Sequence, residues 1–161
     1  MSNETKKITP PNRLKRKVGS GGIPLVRIER AESLVEDSDI GFGEYVEEQI
    51  LILDGHMNAF NGESALSDKG RLELTKPVMT LKAHGAMFGY KIISNVAHEI
   101  LNLLETSNTL NVDLLEILGA FKTALRVIVK QEIKSTDSVA AEKILHEINH
   151  ACTRYFAKYN G

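Results

Sequence analysis

Residues 91–104 read Lys-Ile-Ile-Ser-Asn-Val-Ala-His-Glu-Ile-Leu-Asn-Leu-Leu, and their apolar spacing decides the fold. Ile93, Val96, Ile100, Leu103 and Leu104 recur at threes and fours, which puts them on one face of an α-helix. The polar run Thr106-Ser107-Asn108-Thr109 stops that stripe. Upstream, Val46, Ile50, Leu53, Met57 and Phe60 form a second helical face, interrupted at Gly62. Residues 66–74 give a less regular helical stretch, which Pro77 should kink or restart because it lacks an amide proton. The pattern resumes from Val78 through Phe88, and Gly89 reads as a turn or helix end. Downstream, Asn111 or Asp113 is placed to cap a helix carrying Leu114, Leu118, Phe121, Leu125 and Ile128. Ser135 or Asp137 is placed to cap the last one, with Ala141, Leu145, Ile148, Cys152 and Phe156 facing inward. Period-2 alternation bounded by hairpin turns is absent. Short connections make neighbouring helices antiparallel, so the expectation is an all-α, antiparallel bundle of about five helices.

Composition bounds the rest. The 161 residues are 42% hydrophobic and 25% charged, enough for one buried core and too apolar for wholesale disorder. Lys and Arg number 20 against 21 for Asp and Glu, so the net charge of −1 argues against a nucleic-acid partner. The single cysteine, Cys152, excludes an intramolecular disulfide framework and any multi-cysteine metal site. A polar N-terminus and the lack of a long apolar run point to a soluble, cytoplasmic protein with no membrane partner. The charge is unevenly spread. Residues 1–30 carry eight basic and two acidic side chains, whereas residues 31–63 carry nine acidic ones and no Lys or Arg. With Pro10, Pro11, Pro24 and Gly19-Ser20-Gly21-Gly22, residues 1–30 read as a basic, loosely ordered arm and residues 31–161 as the helical bundle. The arm is either a solvated tail or a segment that meets the acidic stretch or an acidic partner.

Residues 79–90 read Met-Thr-Leu-Lys-Ala-His-Gly-Ala-Met-Phe-Gly-Tyr. Small residues at 83, 85, 86 and 89 crowd a helical stretch, where each glycine costs about 1 kcal/mol relative to alanine. Close helix packing or close approach of a partner compensates such a cost. The string resembles the histidine-phosphotransfer (HPt) domain, a four-helix bundle that carries a phosphoryl group between response-regulator receivers. That family's pattern is His-x-(Leu/Ile)-Lys-Gly, small residues, then an apolar-Gly-apolar step into the next helix. Leu81 and Lys82 match, Ala83 stands for the glycine, and Phe88-Gly89-Tyr90 match the closing step. Ile92, Val96, His98 and Asn102-Leu103-Leu104 are similar to the following helix in chemotaxis histidine kinases. The basic, glycine-rich start and the late helical pair look similar to alphaproteobacterial HPt-like proteins. The resemblance covers roughly residues 38–134, and residues 79–104 are its specific portion.

The departure lies at the centre of the motif. In this register Met79 stands where the phosphoaccepting histidine belongs, and a thioether has no imidazole nitrogen to form a phosphoramidate. Leu101 stands where the chemotaxis-type helix has a glutamate that orients that histidine. Lys82 survives, and the resemblance places it beside the phosphoryl group, where a cation neutralises charge. The implied protein is a degenerate HPt module that binds a receiver domain or a histidine kinase without enzymatic activity of its own. Its expected partner face is Met79, Lys82, Ala83, Gly85 and Met87, with Gly89 and His98 supporting. His84 is the rescue candidate for phosphoacceptance, but it lies five residues, about 140° of helix, from Met79. The plainer reading of His84 is a half-buried, hydrogen-bonded histidine, and of His98 a satisfied core histidine.

Residues 146–150 spell His-Glu-Ile-Asn-His, the H-E-x-x-H pattern of zinc proteases, which on a helix puts His146 and His150 on one face. Only eleven residues follow, and Phe156 and Asn160 occupy the positions of the metzincin glycine and histidine. A polar face of the last helix is the simpler reading, so neither a metal nor another cofactor is expected. Cys152 lies on the apolar stripe and reads as a small buried hydrophobe. Tyr155, Phe156 and Tyr159 close the core or cover a partner surface. Two other functions stay open: an active phosphotransfer protein using His84, and a self-associating structural or regulatory bundle, a homo-oligomer.

Overall fold

A computed structural model describes residues 25–59 and 64–159. Among them are five helices: α1 (Leu25–Asn58), α2 (Asp68–Met87), α3 (Lys91–Thr106), α4 (Val112–Lys130) and α5 (Val139–Tyr159). Two strands of two residues each, β1 (Ser64–Ala65) and β2 (Thr109–Leu110), complete the set. The all-α expectation holds. The chain divides between residues 36 and 37 into two units. Of the first, α1 begins at Leu25, inside the stretch read as an arm, and Val26, Arg27, Ile28 and Glu29 are exposed. The arm's first 24 residues, and Phe60 and Gly62 of the expected α1 stripe, lie outside the described residues.

The second unit is the bundle. Its helices run antiparallel to their neighbours, because late residues of one meet early residues of the next. Phe42 and Tyr45 of α1 pack against Phe88, just past the end of α2, and His84 of α2. Ser94 of α3 bonds Lys82 of α2, while Arg71 near the start of α2 reaches the carbonyls of Leu104 and Glu105 at the end of α3. Arg71 thereby places a cation and donors where the carbonyls of a helix C-terminus lack partners. Arg126 of α4 clamps Glu47 of α1 with two nitrogens, Nη2 to Oε1 at 2.6 Å and Nε to Oε2 at 3.0 Å, and Lys122 pairs with Asp54 one turn away. The helix α5 lies against α3 and α4.

The apolar stripes fill the centre. Val46, Ile50 and Leu53 of α1, Ile93, Val96, Ile100, Leu103 and Leu104 of α3, and Leu114, Leu118, Phe121, Leu125 and Ile128 of α4 are buried as their spacing predicts. On α5, Ala141, Ile148 and Cys152 are buried, Leu145 and Phe156 only partly, and Tyr155 takes a core place with them. Burial also pushes the Cys152 thiol up to about 11, which keeps it protonated and unreactive at neutral pH.

Three local expectations need correction. Pro77 neither ends nor restarts a helix: α2 runs through it from Asp68 to Met87. Thr75, Pro77 and Val78 are all buried, so packing sustains a helix that local preference would break. The cap of α5 is neither Ser135 nor Asp137. Those two bond each other, and Ser138 Oγ accepts the Ala141 amide at 3.1 Å. Finally, β1 and β2 form an antiparallel pair, Ser64 opposite Leu110 and Ala65 opposite Thr109, too short for any alternation to announce it.

Helix ends elsewhere follow the chain's punctuation. Ser67 Oγ accepts the Gly70 amide at the start of α2, and Asn111 Oδ1 accepts the Leu114 amide at the start of α4. Two helices close with the same pair of bonds. In α2, the Tyr90 and Gly89 amides reach the Gly85 and Ala86 carbonyls, with Gly89 at φ +80°. In α4, the Ile133 and Glu132 amides reach the Ile128 and Val129 carbonyls, with Glu132 at φ +50°. This left-handed closure suits glycine and strains glutamate.

Candidate functional site

The α2–α3 hairpin builds the site. Its two helices approach closely because position 85 has no side chain: a Cβ on Gly85 would sit 3.0 Å from Ile93 Cγ2 and 3.2 Å from Ser94 Oγ. Ser94 Oγ then donates to the Lys82 carbonyl at 2.6 Å, a bond that holds the spacing. On the outer side of this seam lies a groove of about 480 Å³ lined by Met79, Lys82, Ala83, Ala86, Ser94, Leu101 and Glu105.

Periodicity explains the lining. Positions 79, 82, 83 and 86 share one face of α2, and 94, 98, 101 and 105 share one face of α3. Met79 is 56% exposed, so its thioether presents apolar surface to solvent. Leu101 faces the same groove from α3. Ala83 and Ala86 leave room above the helix backbone for a close-fitting partner.

At the rim, Lys82 Nζ lies 3.1 Å from His98 Nδ1. An ammonium only donates, so Nδ1 accepts and the neutral imidazole carries its proton on Nε2. The pair therefore offers two outward N–H donors and no free imidazole lone pair. Such an arrangement favours anionic oxygens rather than nucleophilic attack.

The expected site residues divide. Met79, Lys82 and Ala83 share the groove, and His98 stands beside Lys82. Gly85 does not belong to the exposed face: it is buried at the seam between α2 and α3. Met87 is 68% exposed at the end of α2 but does not line the groove. Gly89 supplies the left-handed step that turns the chain into α3. His98 is exposed, which overturns its reading as a core histidine. Ser94 and Glu105 were not singled out from the sequence. Their spacing of four and seven from His98 is the signal that finds them.

His84 faces α1, away from the groove. Its Nδ1 lies 3.0 Å from Tyr45 Oη and 3.0 Å from the Thr80 carbonyl, and its ring packs at 4.7 Å against that of Tyr45. Burial, and then the nearby Glu48 carboxylate, raise the Tyr45 phenol above its usual pKa, so it remains a hydroxyl near neutral pH. The half-buried, hydrogen-bonded reading of His84 fits this arrangement.

His146 and His150 are exposed on α5, their rings parallel within 6° and 6.1 Å apart. Glu147 instead lines an apolar groove between α4 and α5 with Ile144, Ile148 and Val127. Among the described residues, no group of three or more His, Cys, Asp or Glu is placed to hold a metal ion. No helix among them is long and apolar enough to cross a membrane. Comparison of the chain with protein-family models, with curated proteins and with solved structures found no match in any of the three.

Proposed function

We propose that this chain is an HPt-like docking module of two-component phosphorelay signalling, which binds a receiver domain or a histidine kinase through the α2–α3 groove and accepts no phosphoryl group itself. One observation carries the reading: Met79 and Leu101 line the same groove, with Lys82 at its rim. These are the two positions where the resemblance calls for the acceptor histidine and its orienting glutamate, and both are apolar. The acceptor and its orienting group are thus replaced together while the cation remains.

Docking follows from the chemistry of the face. Met79 offers apolar area above the largely buried Leu101, Ala83 and Ala86 admit a partner's backbone, and Lys82 with the His98 Nε2–H meets the carboxylates of a receiver's acidic pocket. A soluble cytoplasmic setting belongs to the same proposal.

The test is to offer the protein a phosphorylated receiver domain and read both its intact mass and its binding. Saturable binding without an acid-labile phosphate is the expected result. An acid-labile phosphate lost in His84→Gln would replace this reading with an active relay. Neither binding nor phosphate across a panel of receivers and histidine kinases would overturn the signalling assignment.

A further inference from the structure

We propose that His146 and His150 form a two-nitrogen chelate for a divalent transition-metal ion of tetragonal preference, with copper(II) the ion bound most tightly. Their spacing on α5 is one helical turn, and their rings already lie parallel at 6.1 Å on the same exposed stripe. Imidazole nitrogens suit copper, nickel and zinc, and affinity for a given nitrogen site peaks at copper(II).

The other histidines are engaged. His84 bonds Tyr45 and Thr80, His98 bonds Lys82, and His56 lies 3.9 Å from Glu73. Only His146 and His150 have no hydrogen-bond or ion-pair partner among the described residues. Their nitrogens are free to turn toward a shared ion, and solvent-facing side chains do so at little packing cost. Charge neither blocks nor drives the encounter. Glu142 one turn before the pair is offset by Arg154 one turn after it, and Lys143 by Glu147.

With two protein ligands, water fills the remaining positions. That arrangement suits the tetragonal copper(II) ion better than a structural zinc site, which takes four protein ligands. The step is ligand exchange alone: two waters leave the ion, two neutral imidazole nitrogens take their places, and no electron moves. The bound ion then clips one turn of α5, the helix that covers α3 and α4.

The full chain is titrated with copper(II) in a non-coordinating buffer, with binding read by calorimetry and the nitrogen ligands by electron paramagnetic resonance. One ion per chain with two imidazole nitrogens is the expected result, together with a rise in melting temperature. His146→Gln and His150→Gln should each weaken binding by more than the roughly 10- to 100-fold that loss of an outer-shell partner costs. His98→Gln should leave it unchanged. Both α5 changes are on an exposed face, and circular dichroism checks that each variant folds. Binding that survives either α5 variant, or no saturable binding, overturns the proposal. One ion per two chains, with dimerisation, also overturns it, because the ion would then bridge copies rather than span one helical turn.

Discussion

Lys82 on α2 and His98 on α3 are joined across the hairpin, Nζ to Nδ1 at 3.1 Å, so one hydrogen bond sets both the position of the cation and the tautomer of the imidazole. The pair is solvent-facing, and its contribution to stability is therefore small. Its value lies in presenting two donors side by side. Lys82→Glu should abolish receiver binding and leave helicity unchanged, because it reverses the charge at the rim. Isothermal calorimetry against a receiver domain checks this, and retained affinity would move the docking face elsewhere.

Restoring the acceptor tests the register. Met79→His should take up a weak, acid-labile phosphate from a phosphorylated receiver, and Met79→His with Leu101→Glu should take up more, because both positions line one groove. Intact mass before and after acid treatment reads the result. A double variant that folds and stays unphosphorylated would count against the correspondence between this groove and a phosphotransfer site.

Gly85 is a packing requirement. Gly85→Ala forces a methyl to within 3.0 Å of Ile93 Cγ2, and overpacking of this kind costs about 1–3 kcal/mol. Urea unfolding should detect the loss. An unshifted midpoint would mean that α2 and α3 do not depend on this contact for their spacing.

At the end of α4 the sign reverses. Glu132 holds φ +50°, a conformation that costs a side-chain-bearing residue about 1–2 kcal/mol, of which glycine's extra freedom in the unfolded chain takes back part. Glu132→Gly should therefore raise stability by on the order of 0.5–1 kcal/mol and the melting temperature by about two or three degrees. A lower melting temperature would assign Glu132 an interaction that outweighs its strain.

The Glu47–Arg126 clamp makes a pH-dependent prediction. Its hydrogen bonds to Arg126, first among the causes, hold the Glu47 carboxyl below its ordinary value of 4.5. A depressed carboxyl contributes stability above that ordinary value and loses it as pH falls through the lowered one. Glu47→Gln should thus be less stable than the parent at neutral pH, by about 0.2–1 kcal/mol for so exposed a pair, and the gap should close as pH falls through the lowered value. Urea midpoints measured across that range decide it.

Much of the architecture was legible in the chain. The stripes of α3 and α4 are almost wholly apolar on one side, so no competing register exists, and Asn111 punctuates through its side-chain oxygen and Gly89 through its lack of a Cβ. What escaped was decided between elements. The continuity of α2 through Pro77 depends on burial, which a local rule does not contain. Gly85 and Ala83 are alike in size, yet one lies in the seam and the other lines the groove. Only the rotation of α2 against α3 tells them apart. His98 faces outward because Val96, Ala97 and Ile100 take the inward positions around it, and a lone histidine beside an apolar stripe does not announce its side. The β1–β2 pair left no trace, since two residues carry no period.

That pair has a mechanical consequence. β1 and β2 fasten the two ends of the hairpin, with the Leu66 amide bonded to the Asn108 carbonyl at 2.9 Å beside them. At the opposite end, the Gly89 step closes α2 onto α3 within three residues. The hairpin is therefore a closed loop tied at base and tip, and its two walls have no free end about which to scissor apart. A partner meets a template whose ordering entropy was spent during folding, so it is the partner's own surface that must adapt.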